Sequence, residues 1–93
     1  MKESIDKLEA RIDGLNKKID QFQFQLQSLP TEARQQAEEM SLNLENKKQM
    51  TLSKLERLKQ SSGDAYEDIQ TGVSMAIDDL KLAFDTAKER FRQ

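Results

Sequence analysis

The chain lacks two side chains on which much protein chemistry depends, since its 93 residues include no cysteine and no histidine. Without cysteine there can be no disulfide, no thiolate nucleophile and no thiolate metal ligand. Without histidine the usual general base and the commonest zinc ligand are also missing. We therefore expect no enzyme, no bound metal and no cofactor.

Breakers of regular structure are scarce, with one proline and three glycines. Charged residues make up 34% of the chain and apolar residues 35%. This balance favours long helices with a narrow apolar stripe over a globule with a thick core. A chain of this length forms one small domain at most.

An excess of basic charge is missing as well. The 15 basic and 17 acidic residues give a net charge of −2, whereas nucleic-acid binding needs a basic face. No uncharged apolar run approaches the roughly 20 residues that span a bilayer, and the first residues do not resemble a secretory signal. We expect a cytoplasmic protein with no nucleic-acid partner.

Apolar residues in the first third are spaced by alternating steps of three and four. This heptad pattern is typical of a helix that pairs with another helix. We call the following eight residues the heptad seam and predict that they form an interaction surface: Ile5, Leu8, Ile12, Leu15, Ile19, Phe22, Leu26 and Leu29.

Pro30 interrupts this pattern and allows two interpretations. The apolar stripe continues beyond it through Ala33 and Ala37, which favours one long coiled-coil helix over residues 1–62, kinked at Pro30. A turn at Pro30 followed by a new helix is the alternative. The second arrangement would give a three-helix bundle instead of a long helix with a shorter antiparallel one.

The clearest break in the sequence is the run from Ser61 to Asp64. Gly63 suits a left-handed backbone at the end of a helix, and Asp64 with Glu67 forms a variant capping box. We predict that residues 63–93 form a second, amphipathic helix.

Residues 65–93 repeat every eleven positions, with Ala65, Ala76 and Ala87 in register. An eleven-residue period places 3.67 residues in each turn, so the apolar face hardly drifts around the helix. We call the large members of this face the apolar arc and predict that they form a second interaction surface: Ile69, Val73, Ile77, Leu80, Phe84 and Phe91.

Paired carboxylates at Glu67-Asp68 and Asp78-Asp79 have the spacing of a solvated helix face, because adjacent helical residues point about 100° apart. The glycines are too sparse for a phosphate-binding loop. We find no catalytic, cofactor-binding or metal-binding residue.

Residues 55–69 read LERLKQSSGDAYEDI, and Gly72-Val73 and AIDDL at 76–80 follow. This stretch resembles the small bacterial and cyanobacterial stress-response coiled-coil proteins that are often labelled apolipoprotein-like. The resemblance covers about residues 54–91, with Tyr66 and Ile77 where that family usually has tryptophan. It implies an association with stress and brings no catalytic residue.

The sequence therefore leads to two functional hypotheses. In the first, the chain is a non-enzymatic, stress-associated helical protein that forms a homo-oligomer through its coiled coil or docks on a larger protein complex. In the alternative, residues 64–93 lie on a membrane surface as an amphipathic helix, making the protein a peripheral lipid binder. The acidic balance of 64–93, with 4 basic and 7 acidic residues, favours the first.

Overall fold

The computed structural model describes residues 4–91 as three helices joined by two short connections. Helix α1 spans Ile5–Leu26, α2 spans Thr31–Gln60 and α3 spans Asp64–Arg90. The molecule measures 51 × 18 × 16 Å. The all-α class predicted from the sequence is confirmed, and the arrangement is a three-helix bundle.

Contacts between side chains give the direction of each helix. Glu9 and Gln23 of α1 lie against Lys59 and Ser41 of α2, in reversed order, so these two helices are antiparallel. Arg11 and Phe22 of α1 lie against Asp78 and Phe84 of α3 in the same order. Helix α3 is therefore parallel to α1 and antiparallel to α2.

The favoured interpretation of Pro30 as a kink in one long helix is wrong, and the turn held as the alternative is what the structure shows. A continuous helix over residues 5–60 would be about 84 Å long, whereas the whole molecule extends 51 Å. Pro30 precedes the first residue of α2 and has an extended backbone, with φ −57° and ψ 154°.

The reason lies in the last turn of α1. A residue before proline is disfavoured in the helical region, which favours an end of the helix at or before Leu29. The amides of Gln27, Ser28 and Leu29 instead donate to carbonyls three residues earlier, at 3.2 Å each, which tightens the helix end. The Arg34 guanidinium also donates to the carbonyls of Gln27 and Leu29.

The start of α3 also differs in detail from its prediction. Gly63, not Asp64, occupies the cap position, so the proposed capping box at Asp64 is wrong. Asp64 and Glu67 lie in the first helical turn, where their charges complement the positive end of the helix dipole. Gly63 has a positive φ of 70°, as predicted, but its ψ of −144° lies outside the left-handed helical region, so the predicted left-handed residue at the end of α2 is not formed.

We expect Gly63→Ala to lower the free energy of unfolding by about 1–3 kcal/mol, because side chains other than glycine rarely adopt this backbone conformation. An added Cβ would meet no atom within 4 Å, so the cost comes from the backbone alone. Urea unfolding followed by circular dichroism measures it.

The control is Gly14→Ala, inside α1, where an added Cβ also meets nothing within 4 Å. There alanine is expected to raise the free energy of unfolding by up to about 1 kcal/mol. Effects of the same sign at the two positions would contradict the structure at Gly63.

Two apolar clusters fill the bundle. One lies toward the α1–α2 turn and is built around Ile19, Leu44 and Leu80. The other lies toward the α2–α3 turn and is built around Leu8, Leu58 and Val73. Each cluster takes residues from all three helices, so the helices depend on one another for burial.

Candidate interaction surface

The heptad seam lies inside the chain's own bundle. Six of its members are buried, and the terminal members Ile5 and Leu29 are half-buried against the two clusters. The structure therefore brings the seam together with α2 and α3 of the same chain. A partner could reach Leu8, Ile12, Leu15 and Ile19 only after α1 had left its place.

The apolar arc is also covered from within the chain. Val73, Ile77, Leu80 and Phe84 are buried, while Ile69 and Phe91 are half-buried at opposite ends of α3. Because α3 packs this face on α1 and α2, the four central members of the arc are not accessible to a membrane or to another protein in the folded chain.

Ion pairs cross the surface of the bundle between helices. Arg11 pairs with Asp78 and Lys47 pairs with Asp79, each at 2.7 Å. The two neighbouring carboxylates therefore each form an ion pair with another helix. Lys59 lies 2.8 Å from the Glu9 carboxylate, and the hydrogen bond to Glu9 raises the pKa of Lys59 above its usual value. Exposed pairs of this kind contribute little to stability individually.

Some core positions were not recognised from the sequence because they are polar. Thr51 is buried, and its hydroxyl donates to the carbonyl of Lys47 at 2.7 Å, which satisfies the hydroxyl's need for a hydrogen-bond partner inside the core. Gln70 is buried as well. The steps from Leu44 to Thr51 and from Thr51 to Leu58 are seven residues each, which is the signal that could have placed Thr51 in the core.

An open groove lies at the end of the bundle that carries the α1–α2 turn. We call it the turn-end groove; its volume is about 860 Å³. It is lined by Phe22, Phe24, Gln25, Leu26, Ser28, Leu29, Asp85, Lys88, Glu89 and Phe91. It brings together two residues predicted to lie at the ends of separate surfaces, Leu29 of the heptad seam and Phe91 of the apolar arc.

Phe24 is the most exposed large apolar residue of the described chain, with 74% of its surface accessible. It falls two positions from both Phe22 and Leu26, on the side of α1 that faces away from the bundle. The heptad spacing therefore gave no reason to include it. An exposed aromatic ring beside an open groove is a typical contact point for another protein.

Phe22, which lines the groove, packs against another aromatic ring of the bundle. The Phe22 and Phe84 rings meet edge to face, with centroids 5.8 Å apart and planes at 88°. The Lys88 ammonium lies 6.0 Å from the Phe84 centroid, at the outer limit of a cation–π contact. Lys88 and the carboxylates of Asp85 and Glu89 place both signs of charge at the groove.

A second, smaller groove of about 340 Å³ lies on the other side of the same helix end. It is lined by Gln23, Leu26, Gln27, Arg34, Ala37, Glu38 and Ser41. Leu26 is common to both grooves, so the last turn of α1 has open space on either side of it.

Other exposed apolar residues are spread over α2 and α3: Leu42, Met50, Met75 and Leu82. None of them lines either groove. Isolated exposed apolar side chains are normal on soluble proteins. The groove is therefore the better candidate for a binding surface.

Among the described residues, no group of three or more acidic side chains is arranged to hold a metal ion. The helices over residues 4–91 also include none with the length and apolar content that a bilayer crossing needs. Comparison with protein-family models, with curated proteins and with solved structures gave no match to this chain.

Proposed function

We propose that the chain is a non-enzymatic helical protein that acts by associating with a second copy of itself through the turn-end groove. The observation that carries the proposal is the exposure of Phe24 beside the half-buried Leu29 and Phe91, whereas Phe22 and Phe84 are packed inside the bundle. Protein interfaces are enriched in such aromatic residues and poor in charge at their centres.

The charges of the groove support a second copy as the occupant. In a two-fold symmetric dimer each surface meets its own copy, so it must be complementary to itself. Lys88 of one copy can then meet Asp85 or Glu89 of the other. The resemblance over residues 54–91 adds a stress-associated role to the proposal, which a comparison of the protein's abundance in stressed and unstressed cells would test.

We expect Phe24→Ala to weaken dimerisation. Burying a phenylalanine contributes about 1.5–3 kcal/mol, and 1.4 kcal/mol is a factor of ten in Kd. Since the substitution occurs in both copies, the Kd should rise by roughly a hundredfold or more. Sedimentation velocity over a wide range of protein concentration measures this change.

Met75→Ala is the control, since Met75 is comparably exposed but lies outside both grooves. It should leave the Kd unchanged. A wild-type chain that stays at the monomer mass of 10.8 kDa at every concentration would contradict self-association. Cross-linking in cells would then show whether a larger complex occupies the groove.

Membrane attachment through residues 64–93, the alternative from the sequence, requires a different state of the protein. Leu80 and Phe84 would have to leave the core before they could reach lipid. Co-sedimentation with anionic vesicles at low salt tests this alternative. If the chain binds the vesicles and its bundle no longer unfolds cooperatively when bound, membrane attachment is supported over self-association.

A further inference from the structure

The two turns of the bundle differ in how far their backbone conformation is restricted. At the α2–α3 turn, Gly63 has a positive φ, and no other described residue does. In the α1–α2 turn, Gln27 keeps right-handed helical angles, with φ −66° and ψ −18°, and Pro30 is extended. The first turn can therefore open by rotating about bonds within ordinary regions, without leaving a glycine-only conformation.

The side-chain contacts that hold α1 in the bundle can be supplied equally well by a second copy. Arg11 binds Asp78, Glu9 binds Lys59, and the amide of Gln23 donates to the Ser41 hydroxyl at 2.9 Å. Each of these contacts joins α1 to α2 or α3. The α2–α3 pair has the most extensive helix contact, so it is the natural acceptor for an α1 from either chain.

The two grooves lie where α1 leaves the bundle. Leu26, in the last turn of α1, borders both of them. If the turn opens, residues 27–30 of two copies must pass each other at this end of the dimer. The exposed Phe24 and half-buried Leu29 then lie beside the same residues of the partner.

We infer that two copies associate by exchanging α1, with residues 27–30 as the hinge and the turn-end grooves as the new interface. This inference rests on the proposed self-association and specifies its mode. Exchange of an identical element is a low-cost route to a dimer, because the exchanged contacts are those of the monomer. It also explains why the apolar stripe of the sequence continues through Leu29 to Ala33 and Ala37, across a turn.

The test uses the absence of cysteine from the chain. A Glu9→Cys/Lys59→Cys variant places two thiols where a 2.8 Å ion pair joins α1 to α2. This site is about 20 Å or more from the turn-end groove along α1, at 1.5 Å per residue. Two bundles docked only by their grooves could not bring the α1 thiol of one copy near the α2 thiol of the other.

Monomer and dimer fractions of this full-length variant are separated and treated with a short bismaleimide cross-linker. On a denaturing gel, exchange predicts covalent dimers from the dimer fraction and internally linked monomers from the monomer fraction. Internally linked monomers from the dimer fraction would overturn exchange while leaving self-association intact. If the protein has no dimer fraction, both the exchange of α1 and the proposed self-association are overturned.

A hinge variant gives a second measurement. Four glycine and serine residues inserted after Ser28 make the reversal of the chain easier, and a longer hinge disfavours exchange. We expect the dimer fraction at a fixed concentration to fall several-fold, with helix content unchanged. An unchanged dimer fraction would overturn the exchange, because exchange depends on a hinge too short for the chain to reverse easily.

Discussion

Leu80→Ala is expected to lower the free energy of unfolding by about 2–5 kcal/mol, the range found when a fully buried leucine is truncated. Leu80 has no accessible surface and lies in the cluster toward the α1–α2 turn. Alanine removes apolar contact and leaves a cavity among the residues of all three helices. For a domain of this size each kcal/mol corresponds to about 4–8 °C in Tm.

The matched control is Leu82→Ala, the same substitution two positions further along α3. Leu82 is 66% exposed, so its loss should change the free energy of unfolding by less than about 0.5 kcal/mol. Urea unfolding of both variants, followed by circular dichroism, compares them directly. Equal losses would mean that α3 does not present the apolar arc to the bundle.

The heptad seam shows how much of α1 the sequence could predict. Its apolar residues are regularly spaced, so the heptad period alone predicts both the helix and the face that is buried. What period could not reveal is which helix covers the face. The same stripe would pair with another chain or with the chain itself, and the outcome depends on whether Pro30 ends the helix.

Helix α2 was harder to read because polar residues occupy positions that face α1. Ser41 receives a hydrogen bond from Gln23 of α1, and Lys48 lies near Asp20 with only 18% of its side chain exposed. A lysine can bury its carbon chain while its ammonium reaches a carboxylate at the edge. A pattern that counts only apolar residues therefore loses the buried stripe of α2 between Leu44 and Leu55.

The turn-end groove is formed by residues that are far apart in the sequence, so no single stretch of sequence predicts it. It forms because the C-terminal ends of α1 and α3 lie side by side, which follows only once both turns are known. Phe24 is outside the heptad seam and is 74% exposed. Its importance becomes visible when Phe91 and Leu29 are placed beside it.

Phe22→Ala is expected to lower the free energy of unfolding by about 3–5 kcal/mol, as for other buried phenylalanines. Phe22 is 6% exposed, and its ring meets Phe84 edge to face at 5.8 Å, a geometry that adds to the burial. The bundle is small, so this loss is a large share of a total stability of about 5–15 kcal/mol. Thermal and urea unfolding at low protein concentration measure it for the monomer.

Phe24→Ala provides the contrast that separates folding from association. At low concentration it should change the free energy of unfolding by less than about 0.5 kcal/mol, because Phe24 is already 74% exposed to water in the monomer. At high concentration it should lower the Tm relative to the wild type, since a dimer is stabilised by mass action and its loss removes that gain. If Phe24→Ala destabilised the dilute monomer as strongly as Phe22→Ala, then Phe24 would pack within its own chain, and the groove would lose its main reason to bind a second copy.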